Sequence, residues 1–128
     1  MAHKILVVED DLLNRMFYHE ALSARGHEVC LVDDGARVMA EASRFAPDLI
    51  TMDIQLPSIS GLRLIRLLRR DAQLSQIPIV AITAFVGQEE EARVRGAGAS
   101  AFLAKPVSMD QLVRTAETLL ADSAGPRA

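Results

Sequence analysis

Four apolar runs in this 128-residue chain each lead into a side chain that could do chemistry: Glu9 and Asp10 after residues 5–8, Asp53 after 49–52, Thr83 after 79–82, Lys105 after 101–104. Singly, each has a plain explanation, since acids cap helices, threonines end strands and lysines are solvated. Together they form a set. Carboxylates gathered in one place repel, and the repulsion is relieved by a proton or by a hard cation. Mg²⁺ (or Mn²⁺) suits a site with few carboxylates, because it keeps several waters and also accepts phosphate oxygens. Lys105 adds a positive charge and Thr83 a hydroxyl donor. Such parts can stabilise a phosphoryl group in transfer to a carboxylate oxygen.

The elements that must gather these residues follow from the apolar periodicity. Residues 5–8, 28–32, 49–53, 79–82 and 101–104 are continuous apolar runs of strand length, and helical patterns alternate with them. Unbroken apolar strands alternating with helices predict a parallel sheet covered on both faces. The expected fold is a three-layer, doubly wound, flavodoxin-like α/β domain: a five-stranded parallel sheet in the order 2-1-3-4-5 with five helices. The carboxyl ends of its strands share one edge, where such sheets keep their ligands. Pro57, Ser58, Ser60 and Gly61 break the chain directly after Asp53.

Each helix carries a predicted inner face. The first uses Leu13, Met16, Phe17, Ala21 and Ala24, with Gly26 as its stop. Asp34 caps the second, which buries Val38, Met39, Ala42 and Phe45 until Pro47 closes it. Ser60 caps the third, with Leu64, Ile65 and Leu68 inward and Arg63, Arg66 and Arg70 solvated. The fourth runs from Glu89, Glu90 and Glu91 to Arg93, Arg95 and a terminal Gly98. Ser108 and Gln111 form a capping box for the last, which buries Leu112, Val113, Ala116, Leu119 and Leu120. Residues 1–122 make one domain, and 123–128 form a loose tail.

Half the residues are apolar and 24% charged, ordinary for a globular domain, and the net charge of −3 argues against nucleic acid as a partner. The single cysteine, Cys30, sits in an apolar run and reads as a buried thiol in a reducing compartment. No signal-peptide layout opens the chain, and no run approaches the ~20 apolar residues needed to span a bilayer. A cytoplasmic protein without membrane contact is expected. His3, His19 and His27 lack metal-ligand spacing and are expected at the surface.

Val8-Glu9-Asp10-Asp11, Met52-Asp53-Ile54-Gln55-Leu56-Pro57 with Gly61, Ile82-Thr83-Ala84 and Lys105-Pro106 resemble the receiver domain of bacterial two-component response regulators, over residues 4–121. Residues 52–62 and the expected lack of an output domain are most similar to single-domain cell-cycle receivers. The resemblance implies that Asp53 accepts phosphate from a histidine kinase or histidine phosphotransfer protein. It implies a Mg²⁺ site of Asp10, Asp53 and the Gln55 backbone carbonyl, with Glu9 assisting through water. Lys105 would pair with the phosphate, and Thr83 would turn inward to it. Phe102 stands at the family's aromatic switch position, and Lys105-Pro106 at its cis peptide. The region from Arg93 through Phe102 to Arg114, formed by the fourth helix, fifth strand and fifth helix, would face a downstream protein target. Gln55 and Phe85 would flank the approach of hydrolytic water and set the lifetime of the phosphoryl group. A flavodoxin-like cofactor carrier would need a Ser/Thr/Gly-rich phosphate loop after the first strand, where this chain has three acids. A metal-dependent phosphohydrolase with an aspartyl nucleophile would place two aspartates one residue apart there, a spacing that Glu9-Asp10 lacks.

Overall fold

The computed structural model describes residues 2–85 and 87–123. Strands β1 (Lys4–Val8), β2 (Glu28–Val32), β3 (Leu49–Asp53), β4 (Ile79–Thr83) and β5 (Ala101–Ala104) alternate with helices α1 (Leu12–Ser23), α2 (Val38–Phe45), α3 (Gly61–Arg70), α4 (Gln88–Ala97) and α5 (Met109–Ser123). All neighbours in the sheet are parallel, in the order β2-β1-β3-β4-β5.

Every residue of β3 and β4 is buried, because helices cover both faces of the sheet. Successive side chains alternate between two cores. Leu6, Val8, Ile50, Met52, Ile79 and Ala81 join the inner faces of α2, α3 and α4. Ile5, Val7, Leu49, Val80 and Ile82 join those of α1 and α5. Burying an Ile or Leu side chain contributes about 1.5–3 kcal/mol, so the central strands are the firmest part of the molecule.

Local signals work as the chain predicts for most helices. Ser60 Oγ accepts from the Arg63 N–H, and Ser108 and Gln111 exchange bonds between side chain and backbone. Ala46, in the left-handed region at φ 51°, closes α2 just before Pro47. Asp34 caps a single 3-10 turn, Gly35–Arg37, that leads into α2 rather than capping α2 itself. Gly61 has a stricter role. A Cβ there would stand 2.4 Å from the Asp53 carbonyl oxygen and 2.7 Å from Ile54 Cα, so only glycine lets α3 start against the exit of β3.

Three further expectations need correction. The inner face of α1 is Tyr18, Ala21 and Leu22, whereas Leu13 is 75% exposed, Met16 58% and Phe17 36%. This helix has two apolar stripes that share Ala21, and spacing alone cannot choose between them. The stripe of Tyr18, Ala21 and Leu22 is the one that packs into the core beside α5. Ala24 caps the helix and is exposed. His27 is buried, not superficial: its Nδ1 accepts the His3 N–H and its Nε2 meets Glu117 at 3.0 Å. Cys30 is only partly buried, since β2 is an edge strand, and its sulfur lies near Arg44 and Glu41. The last helix, α5, runs to Ser123, and residues 124–128 of the expected tail lie outside the described residues.

Candidate functional site

The exits of β1 and β3 lie side by side in the sheet, so Glu9 and Asp53 meet at its carboxyl edge. Both are buried, at 1% and 2% exposure, while Asp10 faces solvent. Bonds to backbone groups fix the loop after β1. The Glu9 N–H donates to Val32 O (3.0 Å) and the Asp11 N–H to Glu9 Oε2 (3.1 Å). One turn into α1, Arg15 donates from a single nitrogen to the carbonyls of Glu9 (3.2 Å) and Asp10 (2.8 Å). Asp11, the third acid of the run, is turned away as the α1 cap and accepts the Asn14 N–H.

Asp53 is held from two sides. Its Oδ1 accepts the Gln55 N–H at 2.9 Å, and its Oδ2 accepts from Lys105 Nζ at 3.2 Å. Lys105 arrives from β5, its backbone N–H bonded to Thr83 O at 2.8 Å and its peptide to Pro106 cis. The same Nζ lies 3.2 Å from Glu9 Oε1, off the line of a hydrogen bond. Burial, and then the neighbouring Asp53, push the Glu9 carboxyl up to about 7. Burial by itself would lower the Lys105 ammonium, but the charges of Glu9 and Asp53 outweigh it and hold the group above its ordinary value. Tyr18, on the buried face of α1, is pushed up by burial and then by the charges of Glu9, Asp53 and Asp11.

The donor set fits a hard divalent cation. One carboxylate oxygen from each of Glu9, Asp10 and Asp53 lies within 4.8 Å of the others, and the buried Glu9 Oε1 has no hydrogen-bond partner. Oxygen-only ligands with a single lysine nearby favour Mg²⁺ or Mn²⁺ over softer metals.

The β4 side of the pocket is built differently. Thr83 is fully buried, and its hydroxyl oxygen meets Gln55 Nε2 (2.5 Å), the Phe85 N–H (3.1 Å) and Glu90 Oε2 on α4 (3.3 Å). Gln55 Oε1 accepts the Ala84 N–H at 2.9 Å. Phe102 is partly buried against the core on the α4 side. Phe85 is 63% exposed and lines a shallow hollow with Gly87, Gln88 and Glu90.

The structure thus brings Glu9, Asp10, Asp53 and Lys105 into one cluster with Gln55 and Thr83 on its rim, and places Phe85 and Phe102 outside it. Sequence reasoning missed Arg15 and Glu90. Arg15 had a usable signal, being a cation five residues past Asp10 on the adjoining helix. Glu90 had none that separated it from Glu89 and Glu91.

Comparison with known proteins agrees with this geometry. The response regulator receiver domain family matches residues 5–117. The polar-differentiation response regulator DivK of Brucella ovis is 36% identical over 123 residues, covering 96% of this chain and 100% of the relative. Among solved structures, a putative response regulator from Chloroflexus aurantiacus superimposes with a TM-score of 0.89 at 28% identity, covering 94% of this chain and 99% of that one. The chemotaxis protein CheY4 of Vibrio cholerae gives 0.88 at 26% identity, with 93% and 99% covered. A family match of that extent favours the receiver over the cofactor carrier and the phosphohydrolase. The chain belongs to the response regulator receiver domain family.

Proposed function

We propose that this receiver takes a phosphoryl group on Asp53 from a phosphohistidine of a histidine kinase or a histidine phosphotransfer protein, and that the phosphorylated form signals to a protein target. The observation that carries this reading is the buried Asp53 carboxylate, gripped by Lys105 on one oxygen and a backbone N–H on the other, beside two further acids. An Asp53 oxygen attacks phosphorus and forms the new O–P bond. The P–N bond to the imidazole breaks, and its electron pair stays on the nitrogen, which takes up a proton.

Each neighbour has a part in that step. Lys105 balances charge on the phosphoryl oxygens at a water-poor site, where such a contact is strong. Asp10, Asp53 and the Gln55 backbone carbonyl would hold Mg²⁺ or Mn²⁺, with Glu9 assisting, and the ion would supply further charge neutralisation. Thr83 turns its hydroxyl from Glu90 toward the phosphoryl group. Phe102 then packs into the space vacated, a population shift between two arrangements. The surface of α4, β5 and α5, from Arg93 through Phe102 to Arg114, meets the target. Gln55 and Phe85 flank the hydrolytic water. Cys30, with no second cysteine to pair with, suits the cytoplasm, and no described helix is long and apolar enough to cross a membrane.

The test is labelling by a small phosphodonor such as acetyl phosphate. Wild type labels in Mg²⁺ and does not label when divalent metal is fully chelated before the phosphodonor is added, Asp53→Asn does not label, and Asp10→Asn labels only at raised metal concentration. Labelling that survives chelation, or that persists in Asp53→Asn, overturns the assignment.

A further inference from the structure

The Thr83 hydroxyl is saturated. It has one proton and two lone pairs, and three partners surround it: Gln55 Nε2, the Phe85 N–H and Glu90 Oε2. The carboxamide orientation of Gln55 is settled by its other end, because the group facing the Ala84 N–H must be the oxygen. Nε2 therefore donates to Thr83, the Phe85 N–H donates to it as well, and the single hydroxyl proton goes to Glu90 on α4. Both donors at the end of β4, the Thr83 hydroxyl and the Ala84 N–H, are already committed.

We propose that Gln55 is a positioning residue that latches the β4–α4 loop in its resting arrangement. Its amide oxygen stands in, at the Ala84 N–H, for the acceptor that a phosphoryl group would bring, its amide nitrogen holds the Thr83 oxygen in place, and both bonds must break before Thr83 and Ala84 can turn to that group. The inference rests on the phosphoacceptor reading and adds a residue to it. Two features support a latch over a passive contact. Its two bonds cross from the β3–α3 loop to the β4–α4 loop, so it couples the acceptor segment directly to the segment that answers. Gln55 is also only partly buried, so water can satisfy its amide once the bonds break, and release leaves no orphaned group.

The latch makes the resting state more populated and the phosphorylated arrangement harder to reach. A side chain of similar length without the amide removes that bias. The experiment uses the full chain with Gln55→Met, and Gln55→Ala as a second variant, and titrates beryllofluoride, a phosphoryl mimic, at saturating Mg²⁺ with NMR readout. Gln55→Met should bind beryllofluoride about tenfold more tightly than wild type. Without the mimic, its Thr83, Ala84 and Phe102 amide resonances should lie between the free and the beryllofluoride-bound wild-type positions. In a Thr83→Ala background the gain from Gln55→Met should shrink to about threefold, because one of the two latched groups is gone. Unchanged or weaker binding by both Gln55 variants overturns the latch, as do resonances that stay at the free wild-type positions.

Failure of wild type itself to bind beryllofluoride would sink the phosphoacceptor reading instead. The latch is then judged on hydrogen exchange at Ala84. Exchange about tenfold faster in Gln55→Met upholds it, and equal exchange rejects it.

Discussion

On the β1–β3 side of the acid pocket the loops are held at their own backbone N–H and carbonyl groups, with Arg15 as a side-chain partner, and on the β4–α4 side through the side chains of Gln55, Thr83 and Glu90. Glu9 and Asp10 are fixed through their own N–H and carbonyl groups, to Val32 and Arg15. The exit of β3 is fixed by the Ile54 N–H on Ile82 O (2.9 Å) and the Gly61 N–H on Ile54 O (3.2 Å). Across the pocket, Gln55, Thr83, Glu90 and the N–H groups of Ala84 and Phe85 form a side-chain network that rotamer changes can rearrange. The next helix, α4, begins at Gly87 without a side-chain cap. On the proposed function, the difference separates two tasks. Charges that position a reacting group must stay put, since a small misplacement costs rate. The segment that reports the reaction needs a second arrangement close in energy, which a few side-chain hydrogen bonds allow and buried strands do not.

The largest effects should come from the charged groups of the fixed wall. Lys105→Met should slow labelling by acetyl phosphate about 100-fold or more, the scale seen when one preorganised donor is removed from a reacting oxyanion. Initial rates at saturating Mg²⁺ measure it. A loss under tenfold would mean that Lys105 only balances the resting acids.

Glu9 makes a prediction of similar size about stability in the absence of divalent metal. An acid whose pKa rises on folding binds its proton more tightly in the folded state, so the stability it gives is complete below its unfolded pKa and is lost as pH climbs. Moving from 4.5 to about 7 corresponds to a loss on the order of 3 kcal/mol between pH 5 and 8. Glu117 and Glu41, held low chiefly by hydrogen bonds from Arg25 and Arg44, act in the opposite sense only at more acid pH. Urea unfolding of wild type against Glu9→Gln, in EDTA, isolates the Glu9 share. Parallel pH curves for the two would show that Glu9 is ionised throughout.

Gly61→Ala should cost about 2 kcal/mol, the usual scale of overpacking, because the atoms in its way are backbone. Thermal or urea unfolding reads this directly. A neutral result would show that the β3–α3 junction gives way easily, and the contrast between the two sides would fail at its most rigid point. Gln55→Met, on the other side, should cost no more than about 1.4 kcal/mol, the equivalent of the tenfold bias that the latch provides.

The fold and the charged half of the site were legible because their signals are local. Apolar runs marked the strands, and the type of the next residue marked the pocket edge. Caps at Ser60 and Ser108 were equally local. What could not be read depends on neighbours distant in the chain. Arg69 sits one place from the solvated Arg70, yet its guanidinium is drawn in to donate to Gly98 O (2.8 Å) and Ile77 O (2.6 Å). His27 is buried because Glu117, ninety positions away, supplies its partner. The outward turn of Leu13, Met16 and Phe17 was hidden because either stripe of α1 satisfies a helical period. The bonds of Gln55 to Thr83 and Ala84 join two loops that touch only once the sheet is built.

The smallest effect concerns how long phosphate stays on Asp53, and it belongs to the movable side. Water that hydrolyses an aspartyl phosphate attacks phosphorus opposite the aspartyl oxygen, so a side chain on the rim slows hydrolysis by occupying that approach. Phe85 has the bulk and no polar atom, and its N–H is tied to Thr83, which keeps its backbone beside the pocket. At 63% exposure the ring is a partial cover only. Gln55, freed from Thr83 and Ala84 once the phosphoryl group is in place, can steady a water there, but a steadied water still needs room for its attack, and Phe85 takes up that room. Shielding should therefore outweigh water-holding by a modest margin. Phe85→Ala should speed the decay of isolated phosphoprotein in Mg²⁺ about threefold. Phe85→Glu should speed it further, because its carboxylate can hold the attacking water. Decay curves of purified phosphoprotein for the three proteins measure this. Equal rates would leave Phe85 with no part in timing, and a drop in stability matching that of Gly61→Ala would move it to the fixed side.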